Sequence, residues 1–361
     1  MSDVAAVAGS SEQRRWPMLS VIGGSAQVST VPGLRRALID GTAAIGVGAA
    51  VAGGFGVGAV RGLVSGDAAG RWWLVALAAV GVLLILGGFW LRRRANRPVR
   101  VGVVVSARDA RRGLAKAEQL DQAARAFVTQ GRRVALYAGD DLHGTAADAE
   151  VVDGLAEATH TAVVFARRLT TDNARVDLVP TMPLHAAFRF GARLGYTHTT
   201  EIIVHALTGS YFPALMLAVY PCTAVPLVVE PVETVAGGED TVTALALDLQ
   251  NRGATFLAQV RAACRELGAG RLLVLRSAGV TVSADFATFS GVVEQVCRVW
   301  RDAALSEGAR TGRHGIFLSG PAAIAVGLGA RLAASDSGRW TAFTLDGGTG
   351  KHESMRAGPA T

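Results

Sequence analysis

The sequence predicts an α/β protein: two fused Rossmann-like units related by a pseudo-two-fold, preceded by a two-helix transmembrane hairpin. Three observations predict it. Two uncharged stretches of twenty residues lie near the N-terminus. From Val99 onward, apolar runs of strand length alternate with helix-like segments. Part of that alternation recurs about 140 residues later.

The two stretches are Gly41–Val60 and Trp72–Leu91. Each has the roughly 20 residues that a helix needs to cross the hydrocarbon core. Half of the 361 residues are apolar and mean hydropathy is +0.33, high for a chain without spans. The net charge of +7 lies entirely in the first hundred residues, which hold eleven Arg and four acidic groups. A nucleic-acid footprint would place such an excess on the folded domain, so no direct DNA or RNA partner is expected. Arg14, Arg15, Arg35 and Arg36 precede the first span, and Arg92, Arg93, Arg94, Arg97 and Arg100 follow the second. The connector holds only Arg61 and Arg71. The positive-inside rule then predicts a multi-pass membrane protein with both termini cytoplasmic. Gly46, Ala50, Gly54 and Gly58 form a small-residue stripe on the first span. Such a stripe serves packing against the second span or association between copies, and the residues do not choose. A cleaved signal peptide is the rival reading of the first span.

The rest divides by element. Predicted strands cover Val101–Ser106, Val134–Ala138, Ala162–Ala166 and Glu201–Leu207, with helices over Leu114–Thr129, Ala146–Ala158 and Pro183–Leu194. The second series has strands at Thr243–Leu249, Arg271–Arg276, Gly315–Leu318 and Trp340–Leu345. Its helices are Thr255–Leu267, Phe286–Leu305 and Pro321–Ala334. Two helices open on proline and close on the same GARL run, at Gly191 and at Gly329, 138 residues apart. The expected organisation is a mobile tail (1–36), the hairpin (37–98), a first half (99–230), a second half (231–348) and a C-terminal tail (349–361). Cys222, Cys264 and Cys297 all lie in apolar runs and read as buried thiols.

No catalytic constellation emerges, so the chain is not expected to be an enzyme. GGTGK at Gly347–Lys351 lacks the spacing of a phosphate loop, with Leu345 where the first glycine belongs. The seven histidines lack metal-ligand spacing, and no metal or cofactor is expected. Asp140-Asp141 reads as a solvated turn. What remains are four strand-to-helix turns, where open α/β sheets bind ligands. They supply Ser106, Arg108 and Asp109; Met182, Leu184 and His185; Gln250 and Asn251; and Ser319, Gly320 and Pro321. Arg108 suits a phosphate, and Gln250 and Asn251 suit base edges. Ordinary turn chemistry is the rival reading of each.

The run HGIFLSGPAAIAVGLGARLAASDSGRWTAFTLD (314–346) resembles the closing segment of SAVED domains (SMODS-associated and fused to various effectors). LHAAFRFGARLGYTHTTEIIV (184–204) is similar to the matching part of the family's first half. The resemblance implies two fused CARF-like Rossmann units binding a cyclic di- or trinucleotide second messenger. It further implies an effector role in CBASS anti-phage defence, linked to a nucleotide cyclase of the CD-NTase type. It places the chain in the bacterial inner (cell) membrane, and no effector enzyme is expected before the domain. The hairpin is then the expected effector, disrupting the lipid bilayer as a homo-oligomer in abortive infection. The rival class is a membrane-anchored enzyme using a nucleotide cofactor in a Rossmann-like site.

Overall fold

A computed structural model describes residues 20–23, 76, 79–87, 100–109, 114–130, 134–145, 147–169, 175–195, 201–218, 227–279, 281–334, 338–345 and 350–355. The chain splits into two compact units, Ala26–Pro98 and the remainder. In the smaller unit, residues 79–87 are helical, and Val80, Val82, Leu83, Leu84 and Leu86 expose their side chains. They fall in the expected second span. The first span, with Gly46, Ala50, Gly54 and Gly58, lies outside the described residues, as does the rest of the second. Among the described residues no helix is long and apolar enough to cross a membrane.

The larger unit holds two sheets. In the first half, β2 (Arg100–Asp109) is central, flanked in parallel by β3 (Val134–Leu142) and β4 (Arg175–Thr181). β5 (Glu201–Thr208) continues in parallel beside β4, and β6 (Ser210–Met216) closes that edge antiparallel. β1 (Ser20–Gly23) closes the other edge on β3. Helices α1 (Leu114–Thr129), α2 (Asp148–Leu169) and α3 (Leu184–Leu194) connect the parallel strands.

The second half repeats the order. β9 (Glu239–Asp248) is central, between β10 (Ala269–Ser277) and β11 (Arg313–Ser319), with β12 (Trp340–Leu345) next to β11. β13 (His352–Ser354) caps β12 antiparallel. β7 (Leu227–Val229) and β8 (Glu233–Thr234) lie antiparallel on β10. The helices are α4 (Ala254–Leu267), α5 (Phe286–Asp302), α6 (Glu307–Thr311) and α7 (Ala322–Leu332). This is a mixed α/β fold with two parallel-cored sheets of matching topology.

The burial pattern explains the layering. Val101, Val103, Val104 and Val105 are all fully buried, as befits a central strand covered on both faces. Val104 faces α1 with Ala124, Val128 and Val179. Val101, Val103 and Val105 face a larger core that also takes in Leu245, Leu247, Leu273, Leu275 and Ile316 of the second sheet. α2, α3, α5 and α7 lie within that shared core. The far face of the second sheet packs Val242, Ala244 and Ala246 against Phe256, Val260 and Cys264 of α4. The order of layers is therefore α1, sheet, four helices, sheet, α4.

α3 and α7 cross where the GARL runs fall. A methyl group on Gly191 would overlap the carbonyl of Val326, and one on Gly329 the carbonyl of Phe188. The two glycines are 138 residues apart, and so are the two residues they meet. The crossing is thus reciprocal, and only glycine permits so close a backbone approach. Equivalent ion pairs brace it: Arg193 to Asp153 of α2, and Arg331 to Glu294 of α5.

Several expectations need correction. Ala162–Ala166 is not a strand; it is the last third of α2, whose buried residues Val152, Leu155, Ala156, Thr159, Ala162, Val163 and Ala166 keep helical spacing. The strand of that position is β4, RVDLVPT, whose proline disguises it; Pro180 lies beyond the last residue that pairs with β5. The tails are not featureless, because β1 falls in 1–36 and β13 in 349–361. β7, placed in the first half (99–230), joins the second sheet. Cys264 and Cys297 are buried, and burial pushes both thiols up to about 12, whereas Cys222 lies outside the described residues.

Candidate functional site

In each sheet the chain leaves the central strand to one side and returns on the other. The crevices this creates lie at the carboxyl ends of β2 and β4, and of β9 and β11. The expected turn residues sit at these ends.

In the second half the turn is closed by Asp248, which is buried. Its carboxylate accepts the backbone N–H of Gln250 at 3.3 Å and of Gly253 at 2.8 Å. The bend passes through Asn251 at φ 50°, a left-handed conformation that asparagine tolerates better than most side chains. Ser319 Oγ donates to Gln250 Oε1 at 3.1 Å, tying the two strand ends together. Gly320 leaves room for Leu249, whose side chain a methyl group there would strike. From the first half, Leu184 lies against Leu249, Ser319, Gly320 and Pro321, enclosing only about 10 Å³ of space. Turns from both halves therefore meet. Pro183 and Pro321 cap α3 and α7 without any side-chain cap.

The first half differs. Ser106 is fully buried in register with Thr181, and Asp109 is 5% exposed, so neither presents its side chain outward as expected. Arg108 faces away toward β3, where its Nε donates to Asp141 Oδ1 at 2.7 Å. Burial works against its charge, yet Asp141 outweighs this and raises its pKa above the ordinary value. Asp140 is engaged too, its Oδ1 accepting the Asp141 N–H at 2.9 Å. Met182 packs against the shared core. His185 is buried at the start of α3 and faces a separate cleft described below.

The sequence reading missed a polar knot beneath this turn. Asp121 of α1, 2% exposed, accepts from Tyr137 Oη and from Thr181 Oγ1, both at 2.7 Å. Arg125 lies 3.5 Å from the same carboxylate and 3.8 Å over the Tyr137 ring. Burial, then Asp121, raises the Tyr137 pKa; the same causes push Tyr211 up to about 12. The signal was available, since Asp121, Ala124 and Val128 share one helical stripe and an acid on a core stripe demands partners.

A larger cavity lies elsewhere. Beside α3 an open cleft of about 670 Å³ is lined by Phe188, Arg189 and Arg193, by Trp340 and Phe343 of β12, and by His352 of β13. Glu266 of α4 also lines it. The Phe188 and Trp340 rings lie 5.9 Å apart, and Trp340 is itself braced by Trp300 and His314 at 4.9 and 4.8 Å. Asp153 chelates Arg189 at 2.9 and 2.8 Å and also holds Arg193 at 2.8 Å. Burial and Arg252 lower the His352 pKa to about 4.

No family model matches the chain, and no curated protein matches it. Among solved structures it is similar to the Acinetobacter baumannii Cap4 SAVED/CARF-domain containing receptor. Against that receptor with the cyclic trinucleotide 3'3'3'-cAAA, identity is 10% and the TM-score 0.44, over 79% of this chain and 58% of that one. With 2'3'3'-cAAA the TM-score is 0.42 over the same shares. The Moraxella osloensis Cap4 receptor gives 10% identity and 0.38, over 78% and 56%. The chain thus spans less than two thirds of each receptor's length.

Proposed function

We propose that this chain is a membrane-anchored receptor for a cyclic oligonucleotide, of CBASS type, with the hairpin as its effector. The observation that carries the reading is the meeting of two strand-end crevices across a pseudo-two-fold, at Leu184 and Ser319–Pro321. A ring of repeated nucleotides matches such a paired site better than a linear cofactor does. Uncapped helix N-termini favour anions, so the starts of α3 and α7 suit two phosphates of one ring. Arg108 stands at the same strand end, ion-paired with Asp141 through its Nε, and would exchange that partner to meet a third. Gln250 and Asn251 suit base edges. The resemblance of 184–204 and 314–346 to SAVED domains points to the same ligand class.

The closed junction sets the mechanism. About 10 Å³ cannot hold a nucleotide, so entry of the ring must part Leu184 from Gly320 and Pro321. That movement bears directly on the α3–α7 crossing. The ligand would then bias how copies assemble, and assembly would regroup the spans. The exposed apolar side chains on 79–87 fit a segment whose surroundings are lipid.

Calorimetric titration of the purified full-length chain with cyclic di- and trinucleotides tests the receptor reading. At least one should bind, and Gln250→Ala and Arg108→Gln should each weaken it by about tenfold. Absence of binding by every ring tried sinks the proposal. Dye release from liposomes tests the effector separately: Gly54→Leu should abolish ligand-triggered release while binding persists.

A further inference from the structure

The smaller unit, Ala26–Pro98, is inserted into the larger one between β1 and β2. Both junctions fall on the same edge of the first sheet. β1 runs antiparallel to β3, with Ser20 opposite Tyr137 and Gly23 opposite Ala135, so the chain leaves toward the start of β3. It returns at Arg100, where β2 starts beside β3, with Val101 opposite Val134. The amino ends of the parallel strands thus carry both connections to the expected hairpin, whereas the strand-end junction lies at their carboxyl ends. Eight residues, 92–99, separate Leu91 from Arg100, a reach of about 30 Å at most. α2 also ends at this edge, because a helix joining parallel strands runs back from the carboxyl end of β3 to the amino end of β4. Its last turns expose Val164 and Phe165, 49% and 41% accessible, on one stripe with Thr161 and Arg168. Arg100 is exposed at the same edge, and Glu201, an acid there, lies 3.9 Å from Arg175. The sequences leading into these strands, 92–99, 131–133, 170–174 and 196–200, hold six Arg and one Asp.

We propose that this edge is a docking surface for an anionic lipid bilayer, with the exposed stripe at the end of α2 as its contact. This rests on the reading of the hairpin as a membrane anchor, and adds which face of the larger unit meets lipid. Val164 and Phe165 enter the headgroup region, where an apolar side chain and an aromatic ring gain by leaving water. Arg168 and Arg100 lay their stems along it and meet lipid phosphates. Two apolar side chains would not hold a free domain, but the short tether keeps them beside the surface, where a weak contact suffices. A second copy is the poorer occupant, because the excess of arginine over acid would face itself across a two-fold axis. The ring site then opens away from the membrane.

Quenching by nitroxide-bearing lipids tests this on the full-length chain, reconstituted in vesicles of phosphatidylcholine and phosphatidylglycerol. A fluorophore is attached at Val164→Cys in a Cys222→Ser background, since Cys264 and Cys297 are buried. The label should lose most of its emission. A label at Glu150→Cys, about 21 Å away along α2, should keep its emission. Both positions are exposed, so both labels leave the core intact. Adding Phe165→Ser and Arg168→Gln should bring the label at 164 to the level of the label at 150. Vesicles of phosphatidylcholine alone should quench less, and equal quenching there overturns the role of the arginines. Equal quenching at 150 and 164 overturns the edge as the docking face. Cross-linking of copies through residue 164 without quenching assigns the stripe to a second copy and overturns the proposal. Extraction of the chain from the vesicles by alkaline carbonate overturns the anchor, and this surface with it. A chain that resists extraction and shows no quenching at 164 overturns the docking surface alone.

Discussion

The two grooves that flank the α3–α7 crossing occupy equivalent places in the duplicated fold, yet one is filled and the other is open. Beside α7, Leu215, Met216 and Leu217 at the end of β6 pack onto Gly327, Ala330 and Arg331, leaving about 20 Å³. Beside α3 the cleft measures about 670 Å³. Two differences produce this. β6 runs along β5 for seven residues, and Leu217 still donates to Ile202, whereas β13 pairs with only three residues of β12. Arg189 stands in α3 where α7, 138 residues on, has Gly327. A glycine lets a strand lie close, and an arginine holds it off. Duplication thus supplied two matching grooves, and a longer edge strand consumed one of them.

That comparison can be broken by exchanging the two residues. Gly327→Arg should have the largest effect, because Leu215 and Val293 already stand 3.0 and 3.1 Å from where its Cβ would be. Overpacking with a buried charge should cost about 4 kcal/mol or more, read as loss of folded protein or a collapse in Tm. Arg189→Gly should cost only about 1–2 kcal/mol, from helix propensity and a half-exposed ion pair. Similar costs for both exchanges would show that the grooves are equivalent after all.

The crossing itself should behave symmetrically. Gly191→Ala and Gly329→Ala each push a methyl group into a backbone carbonyl and should each cost about 3 kcal/mol in thermal unfolding. A large gap between them would sharpen the asymmetry down to the backbone. The bracing ion pairs should differ less. Arg331, 19% exposed in a part-buried pair, should lose about 2 kcal/mol on truncation to Ala, and the half-exposed Arg193 under about 1 kcal/mol.

A further effect is a pH dependence confined to the open side. His352 titrates near 4 when folded, against 6.5 as its ordinary value, so the unfolded chain binds more protons between the two. Its contribution to stability is complete above about pH 6.5 and is lost as pH falls toward 4. His352→Phe should flatten the Tm profile across that window and leave it unchanged above pH 7. An unchanged slope would mean that the ring is not held neutral by its surroundings.

Much of the fold was legible in the sequence because its signals are local. The proline-opened helices, the GARL echo and the valine-rich β2 each announce themselves within a dozen residues. β4 was not legible, since a proline near its end and the apolar run Ala162–Ala166 in the preceding helix drew the strand to the wrong place. The edge strands β1, β7, β8 and β13 have two to four residues each, too few to show alternation. The strand-end turns were placed by topology, but not the inward turn of Ser106 or the pairing of Arg108 with Asp141, which depend on registers between strands. The open cleft could not be read at all, because its walls come from 185–193, 263–267, 338–343 and 352–355, and only folding brings them together.

One consequence follows from the shared core. The inner faces of both sheets, with α2, α3, α5 and α7, belong to one continuous apolar cluster. The repeat is therefore two copies in the genetic record but a single cooperative unit in denaturant. Neither copy can open while the other stays shut, and amide protons deep in β2 and β9 should exchange at the same rate-limiting opening. An event that loosens one half is felt in full by its twin.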